Sequence, residues 1–191
     1  MTVLVDITNT PHAWTRRAAA RTSWEAAGWS ARGQARRFTA VMRHLHPRLA
    51  DGDRVLDFGC GTGALCDWLP DTVEYLAHDW AEGMRARVSA DHPRALVLAD
   101  ITGIVADHTV AVGTFNLPGS VMRTQAELQK LWERTRKTLV ASLYRGTDTR
   151  CLSYTAAELA EVAASCGCQR FAIDGLWLDN DLLLVMHREA L

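Results

Sequence analysis

Val55-Leu56-Asp57-Phe58-Gly59-Cys60-Gly61-Thr62-Gly63 runs from an apolar strand into three alternate glycines and then into a stretch of helical character, residues 63–69. Glycine at a strand exit lets the backbone turn tightly and meet a ligand with no Cβ in the way. The start of the following helix offers unpaired N–H groups to that ligand. Asp79 stands twenty residues beyond Gly59, directly after the next apolar run. A carboxylate at that spacing accepts hydrogen bonds from ribose hydroxyls.

Working outward, short apolar runs recur at 54–58, 73–77, 95–99, 109–115, 138–144, 170–173 and 182–186. Helical stretches separate most of them, at 63–69, 81–90, 124–135 and 155–164. Strands that alternate with helices predict βαβ units and a mostly parallel seven-stranded sheet with helices on both faces. About eight residues join the last two runs, too few for a helical crossover, so these pair antiparallel. Only about nine residues join the third and fourth runs. Upstream, Thr10-Pro11 opens a helix over 12–27 that Gly28 stops. A second helix spans 34–49, with Phe38, Val41, Met42 and Leu45 on one face. The expected layout is a helical lid or substrate segment at 1–50 and a nucleotide-binding domain at 51–191, in one compact unit of 191 residues.

Composition sets bounds. Hydrophobic residues make 48% and charged residues 23%, which excludes disorder. No apolar run is long enough to span a membrane, and 1–11 lacks the pattern of a secretory signal. Cys60, Cys66, Cys151, Cys166 and Cys168 are odd in number and form no framework, which points to reduced thiols and a cytoplasmic setting. The seven histidines and the cysteines give no metal constellation. Residues 1–50 hold eight arginines against Asp6 and Glu25, a balance of +6, and 51–191 carry −7. The basic segment docks on its own acidic partner, meets an anionic ligand or touches nucleic acid.

Two cofactor readings compete at the glycine loop. Gly59, Gly61 and Ala64 satisfy a dinucleotide fingerprint. Asp57 opposes it, because two unit charges about 4 Å apart interact by roughly 4 kcal/mol at an effective dielectric near 20. Beside a pyrophosphate that interaction is repulsive, and beside the ammonium of S-adenosylmethionine it is attractive, directly or through water. The nine residues resemble motif I of the class I S-adenosylmethionine-dependent methyltransferases, V-L-D-x-G-C-G-T-G. His78-Asp79-Trp80-Ala81-Glu82-Gly83-Met84, Ala99-Asp100-Ile101 and Val112-Gly113-Thr114-Phe115-Asn116 resemble that family's second-, third- and fourth-strand motifs. Trp29-Ser30-Ala31-Arg32-Gly33-Gln34-Ala35-Arg36-Arg37-Phe38 is similar to a G-W-S-x-x-x-Q-x-x-R-F segment of small bacterial methyltransferases.

The resemblance implies a Rossmann-like class I methyltransferase fold whose last strand is antiparallel. It implies S-adenosylmethionine as cofactor, with S-adenosylhomocysteine as product. It places the cofactor against Asp57, Gly59, Cys60, Gly61, Gly63, Asp79, Trp80, Met84, Asp100, Ile101 and Gly113. Asp79 then grips both ribose hydroxyls, Asp100 meets the adenine amino group, and Trp80 and Ile101 pack on the ring. Arg37, with Gln34 one turn before it, is the candidate for the cofactor's carboxylate; Arg36 points about 100° away, toward solvent.

On the acceptor side, ligands of open α/β sheets lie beyond the carboxyl ends of the parallel strands. That edge collects Asn116 and Tyr144, together with Asp179 and Asp181 at the start of the antiparallel strand, as candidates for a base or an anchor. Trp24 and Trp29 are candidates for an aromatic lid over the substrate. Asn116-Leu117-Pro118-Gly119 is a poor match to the N-P-P-Y signature of adenine and glutamine N-methyltransferases. The expected function is biosynthetic O- or N-methylation of a small molecule. RNA methylation, a non-catalytic cofactor-binding partner subunit and a nicotinamide dehydrogenase are the alternatives.

Overall fold

The computed structural model describes residues 10–116, 121–148, 151–175 and 179–188. Strand β1 (Arg54–Phe58) is central, flanked in parallel by β2 (Glu74–His78) and β4 (Ala106–Val112). Beyond β2 lies the short β3 (Leu96–Leu98), and beyond β4 lies β5 (Thr135–Tyr144), both parallel. Strand β7 (Asp181–His187) runs antiparallel to β5 on one side and to β6 (Arg170–Asp174) on the other. The order is β3-β2-β1-β4-β5-β7-β6. The chain crosses from one half of the sheet to the other between β1 and β4, the crevice where open α/β sheets take their ligands.

Helices cover both faces. On one face α5 (Val121–Glu133) and α6 (Ala156–Ser165) bury Leu128, Leu131, Leu159 and Val162 against Leu56, Leu76, Leu139 and Leu184. The other face carries α3 (Ala31–Leu45) and α4 (Glu82–Asp91), whose Phe38, Val41, Leu45 and Val88 meet Val55, Tyr75, Val110 and Val140. Successive residues of β1 and β2 thus serve opposite faces, as the two-residue period of a strand requires. Two short helices, α1 (Pro11–Arg17) and α2 (Ser23–Ala27), precede α3; α1 packs on α4 and α2 packs on α1.

The strands agree with the sequence reading to within about three residues. Two helices do not. The helix expected over 12–27 breaks between Arg17 and Ser23, because Thr22 and Glu25 form a capping box that starts a new helix. The helix expected after β1 is only a 3-10 turn, Ala64–Trp68. Pro70 forces its neighbour Leu69 into extended backbone (φ −95°, ψ 142°), and Arg94 caps the carbonyls of Cys66 and Leu69 from outside.

Candidate active site at the carboxyl edge of the sheet

The glycine loop hangs from β2. The N–H groups of Gly59 and Cys60 both donate to the His78 carbonyl, at 2.7 and 3.0 Å. Gly59, Gly61 and Gly63 have φ of +75°, +55° and +79°, which only glycine adopts without strain. A Cβ on Gly59 would collide with Thr114, and one on Gly63 would press on Val88 and His92 at 3.0–3.1 Å. No described residue lies within 4 Å of the place a Gly61 Cβ would occupy. Gly61 is therefore the point where the loop presents bare backbone to open space.

Asp79 is buried at the end of β2 and holds this loop. Its Oδ2 accepts from the Gly61 N–H at 3.0 Å and its Oδ1 from the Ala81 N–H at 2.9 Å. Burial raises its pKa, opposed by those two N–H groups. A carboxylate offers about four lone-pair positions, so two remain for the hydroxyls of a diol. Trp80, beside it, is 44% exposed and presents an unusually open aromatic surface. Asp100 is exposed at the neighbouring strand end and accepts from the Thr102 N–H. Ile101 packs partly into the core under α5 and α6.

Asp57 differs from expectation. Its side chain points into the α3/α4 layer, where it accepts a hydrogen bond from the Tyr75 hydroxyl. Burial pushes its pKa up to about 7, the Tyr75 hydroxyl opposes this, and the charge of Asp79 adds to it. The carboxyl thus lies beneath the loop, held by the Tyr75 hydroxyl. Burial, with the charges of Asp57 and Asp79, likewise drives the Cys60 thiol well above its ordinary pKa. Met84 also departs from expectation. It is buried among Ala18, Ala26 and Ala81 under the N-terminal helices, which removes its side chain from the loop.

The N-terminal segment reaches the same edge. The Trp29 ring lies over the end of β4: a Cβ on Gly113 would stand 2.5 Å from its Cζ2. Arg37 stacks on that ring, its guanidinium carbon 4.8 Å from the ring centre. Its Nε pairs with Asp181 at 2.6 Å, a partner 144 residues away that sequence spacing does not reveal. Arg36 is solvent-exposed and pairs there with the exposed Asp179 at 2.8 Å. Gln34 accepts from Ser23 and so ties α3 to α2 rather than facing the loop. Trp24 is half-buried on α2, and its carbonyl accepts from the Trp29 N–H. Asp181 lies directly across from Tyr144 in the ladder. The Tyr144 hydroxyl accepts from the Asp148 N–H, and Asn116 Oδ1 accepts from the Tyr144 N–H. Asn116 and Tyr144 are thus engaged in shaping the strand ends. Leu117, Pro118, Gly119 and Trp177 lie outside the described residues.

A second feature lies on the outer side of the loop. A polar cleft of about 310 Å³ is bounded by Ser23, Thr62, Arg87 and His92, among others. Arg87 is committed to Ala18, Ala20 and Asp91 there. No helix among the described residues is long and apolar enough to cross a membrane.

No family model matches this chain, and a search of the curated proteins finds no match. Solved structures do match. The N-methyltransferase NodS from Bradyrhizobium japonicum WM9, in complex with S-adenosylhomocysteine, is similar at TM-score 0.73 and 14% identity, over 95% of this chain and 100% of that one. The magnesium protoporphyrin IX methyltransferase ChlM from Synechocystis PCC 6803, with bound SAM, is similar at 0.69 and 14%, over 95% and 92%. A TehB-like SAM-dependent methyltransferase from Corynebacterium glutamicum ATCC 13032 Kitasato is similar at 0.60 and 17%, over 94% and 100%. At these identities the likeness shows a shared fold, the Rossmann-like fold of class I methyltransferases.

Proposed function

We propose that this chain transfers the methyl group of S-adenosylmethionine to a small molecule, by O- or N-methylation. The observation that carries the reading is the glycine loop held open by Asp79: Gly61 faces free space, and the carboxylate that anchors it keeps two lone pairs. Similar structures hold S-adenosylmethionine or its product. The residues present fit that group. The backbone of Gly59–Gly63 would meet its methionyl and ribose parts, Asp79 the ribose hydroxyls, and Trp80, Asp100 and Ile101 the adenine. The cofactor supplies a methyl carbon already activated by its sulfonium. Aligning the acceptor and excluding water are then the protein's main tasks, and Trp29 over the end of β4 is placed to do both.

RNA methylation is the weaker reading. Arg36 and Arg37 are spent on Asp179 and Asp181, and Arg17 donates to the Glu25 carbonyl, so much of the basic segment docks on its own protein. The test is calorimetric titration with S-adenosylmethionine, S-adenosylhomocysteine and NADH, on wild type and on Asp79→Ala. The reading expects either sulfur ligand to bind and Asp79→Ala to weaken it ten-fold or more, about 1.4 kcal/mol. Binding of NADH alone overturns it.

A further inference from the structure

The strand order leaves β6 at one edge of the sheet, five residues long against three in β3 at the other edge. An outer strand carries unpaired backbone groups, and proteins usually guard it with a proline, a bulge or a charge at mid-strand. Arg170-Phe171-Ala172-Ile173-Asp174 has none of these. Its register with β7 is unbroken, and Ala172 stands at its centre. Arg170, Phe171 and Ala172 are all exposed, Phe171 to 39%.

The ladder tells which backbone groups are free. The Arg188 N–H donates to the Lys137 carbonyl and the Arg145 N–H to the Asn180 carbonyl, so the even-numbered residues of β7 bond to β5. Its odd-numbered residues then bond to β6, where Leu183, Val185 and His187 lie across from Asp174, Ala172 and Arg170. The N–H and C=O groups of Phe171 and Ile173 are left pointing outward, with no partner among the described residues.

Side chains alternate between the two faces of the strand. Ile173 packs on the core beneath α5 and α6, so Phe171 shares that face. Asp174 meets His44 of α3 at 2.9 Å, which puts Arg170, Ala172 and Asp174 on the opposite face. The Arg170 side chain makes no ion pair among the described residues.

We infer that this edge pairs with the same edge of a second copy of the chain, antiparallel and centred on Ala172. That register sets Phe171 opposite the partner's Ile173, and every outward N–H and C=O of both strands is then bonded. It also sets Arg170 opposite the partner's Asp174, twice, and opposite charges across a ladder attract. A slip of one residue would set outward groups against inward ones. A slip of two would move Arg170 away from the partner's Asp174. The edge is thus complementary to itself in one register, and the two-fold closes the assembly at two copies. The interface lies four strands away from the glycine loop, and the inference does not depend on the methyltransferase reading.

The test is sedimentation equilibrium of the full chain from about 5 to 200 μM. The mass is expected to rise with concentration from 21.1 kDa toward twice that value. Arg170→Asp and Asp174→Arg each set like charges opposite one another at both positions, and each is expected to weaken association at least ten-fold. Mixed in equal amounts, the two variants face each other with opposite charges at both positions, and a heterodimer is expected to form. Phe171→Pro removes an outward N–H and leaves the bonds to β7 intact. It takes the place of the mixture if Asp174→Arg, which gives up the His44 contact, fails to fold by circular dichroism, and it is expected to weaken association as well. A wild type that stays at 21.1 kDa throughout overturns the inference. So does a dimer that survives Arg170→Asp or Phe171→Pro, or a mixture of two folded charge variants that stays monomeric.

Discussion

Tyr75 donates a 2.6 Å hydrogen bond to Asp57 across adjacent strands, and both side chains are buried under the glycine loop. Burial raises the Asp57 carboxyl from 3.8 to about 7, partly opposed by that hydroxyl. The folded chain therefore holds a proton that the unfolded chain has released. Its contribution to stability is complete below pH 3.8 and is lost as pH rises through about 7. Asp57→Asn is expected to remove that loss. Between pH 4 and 8 the wild type should fall relative to the variant by up to roughly 4 kcal/mol, as read by urea unfolding at a series of pH values. Parallel curves for the two proteins would show that Asp57 is ionised in the fold.

Gly59 and Gly61 separate folding from binding. Gly61→Ala adds a methyl to open space at φ +55° and is expected to cost roughly 1–2 kcal/mol, a left-handed strain alone. It should fold yet bind S-adenosylhomocysteine at least ten-fold more weakly. Gly59→Ala carries the same strain and also collides with Thr114, whose hydroxyl is tied to the Phe58 carbonyl. Its melting temperature should fall well below that of Gly61→Ala. Equal stability of the two variants would contradict the loop geometry.

At the opposite end of the sheet, Asp53 joins Lys137 at 2.6 Å and His108 at 3.0 Å. Burial works against ionisation of Asp53, but the hydrogen bonds from Lys137, the Ala50 N–H and His108 outweigh it and lower its pKa. Its contribution is present above pH 3.8 and is lost as pH falls through that lowered value. Asp53→Asn should cost about 2 kcal/mol at pH 7, and the gap to wild type should close in strong acid, as measured by urea denaturation.

Arg87 donates to the carbonyls of Ala18 and Ala20 from α4 and fastens the α1–α2 connection. Arg87→Met should speed amide exchange in residues 18–25 at least ten-fold. It should shift the melting temperature little, because the sheet and its two main cores are untouched. Unchanged exchange would mean that packing around Met84, rather than this guanidinium, holds the segment.

The strands and the glycine loop were legible because their signals are local: alternate faces, a run of glycines, an acid at fixed spacing. The capping box at Thr22 and Glu25 is equally local, but it lies inside a continuous run of helix-forming alanines and arginines that hides it. Pro70 was the visible sign that the turn after β1 would not extend into a helix. The partners of Arg37, Arg36 and Asp53 were illegible for another reason. Each is set by which strands become neighbours, and no spacing along the chain encodes that 37 meets 181 or that 53 meets 137. Asp57 lies between: once β1 and β2 pair in register, Tyr75 falls on its face.

Because β7 is antiparallel, its beginning, not its end, completes the edge shared by the parallel strands. The Arg37–Asp181 pair therefore forms only once β7 has annealed to β5. Completing that edge brings together residues far apart in the sequence. It closes a loop of 144 residues and so depends on topology rather than on local order. Any intermediate with β1 through β5 already paired would have the glycine loop in place and still lack the far wall of its crevice.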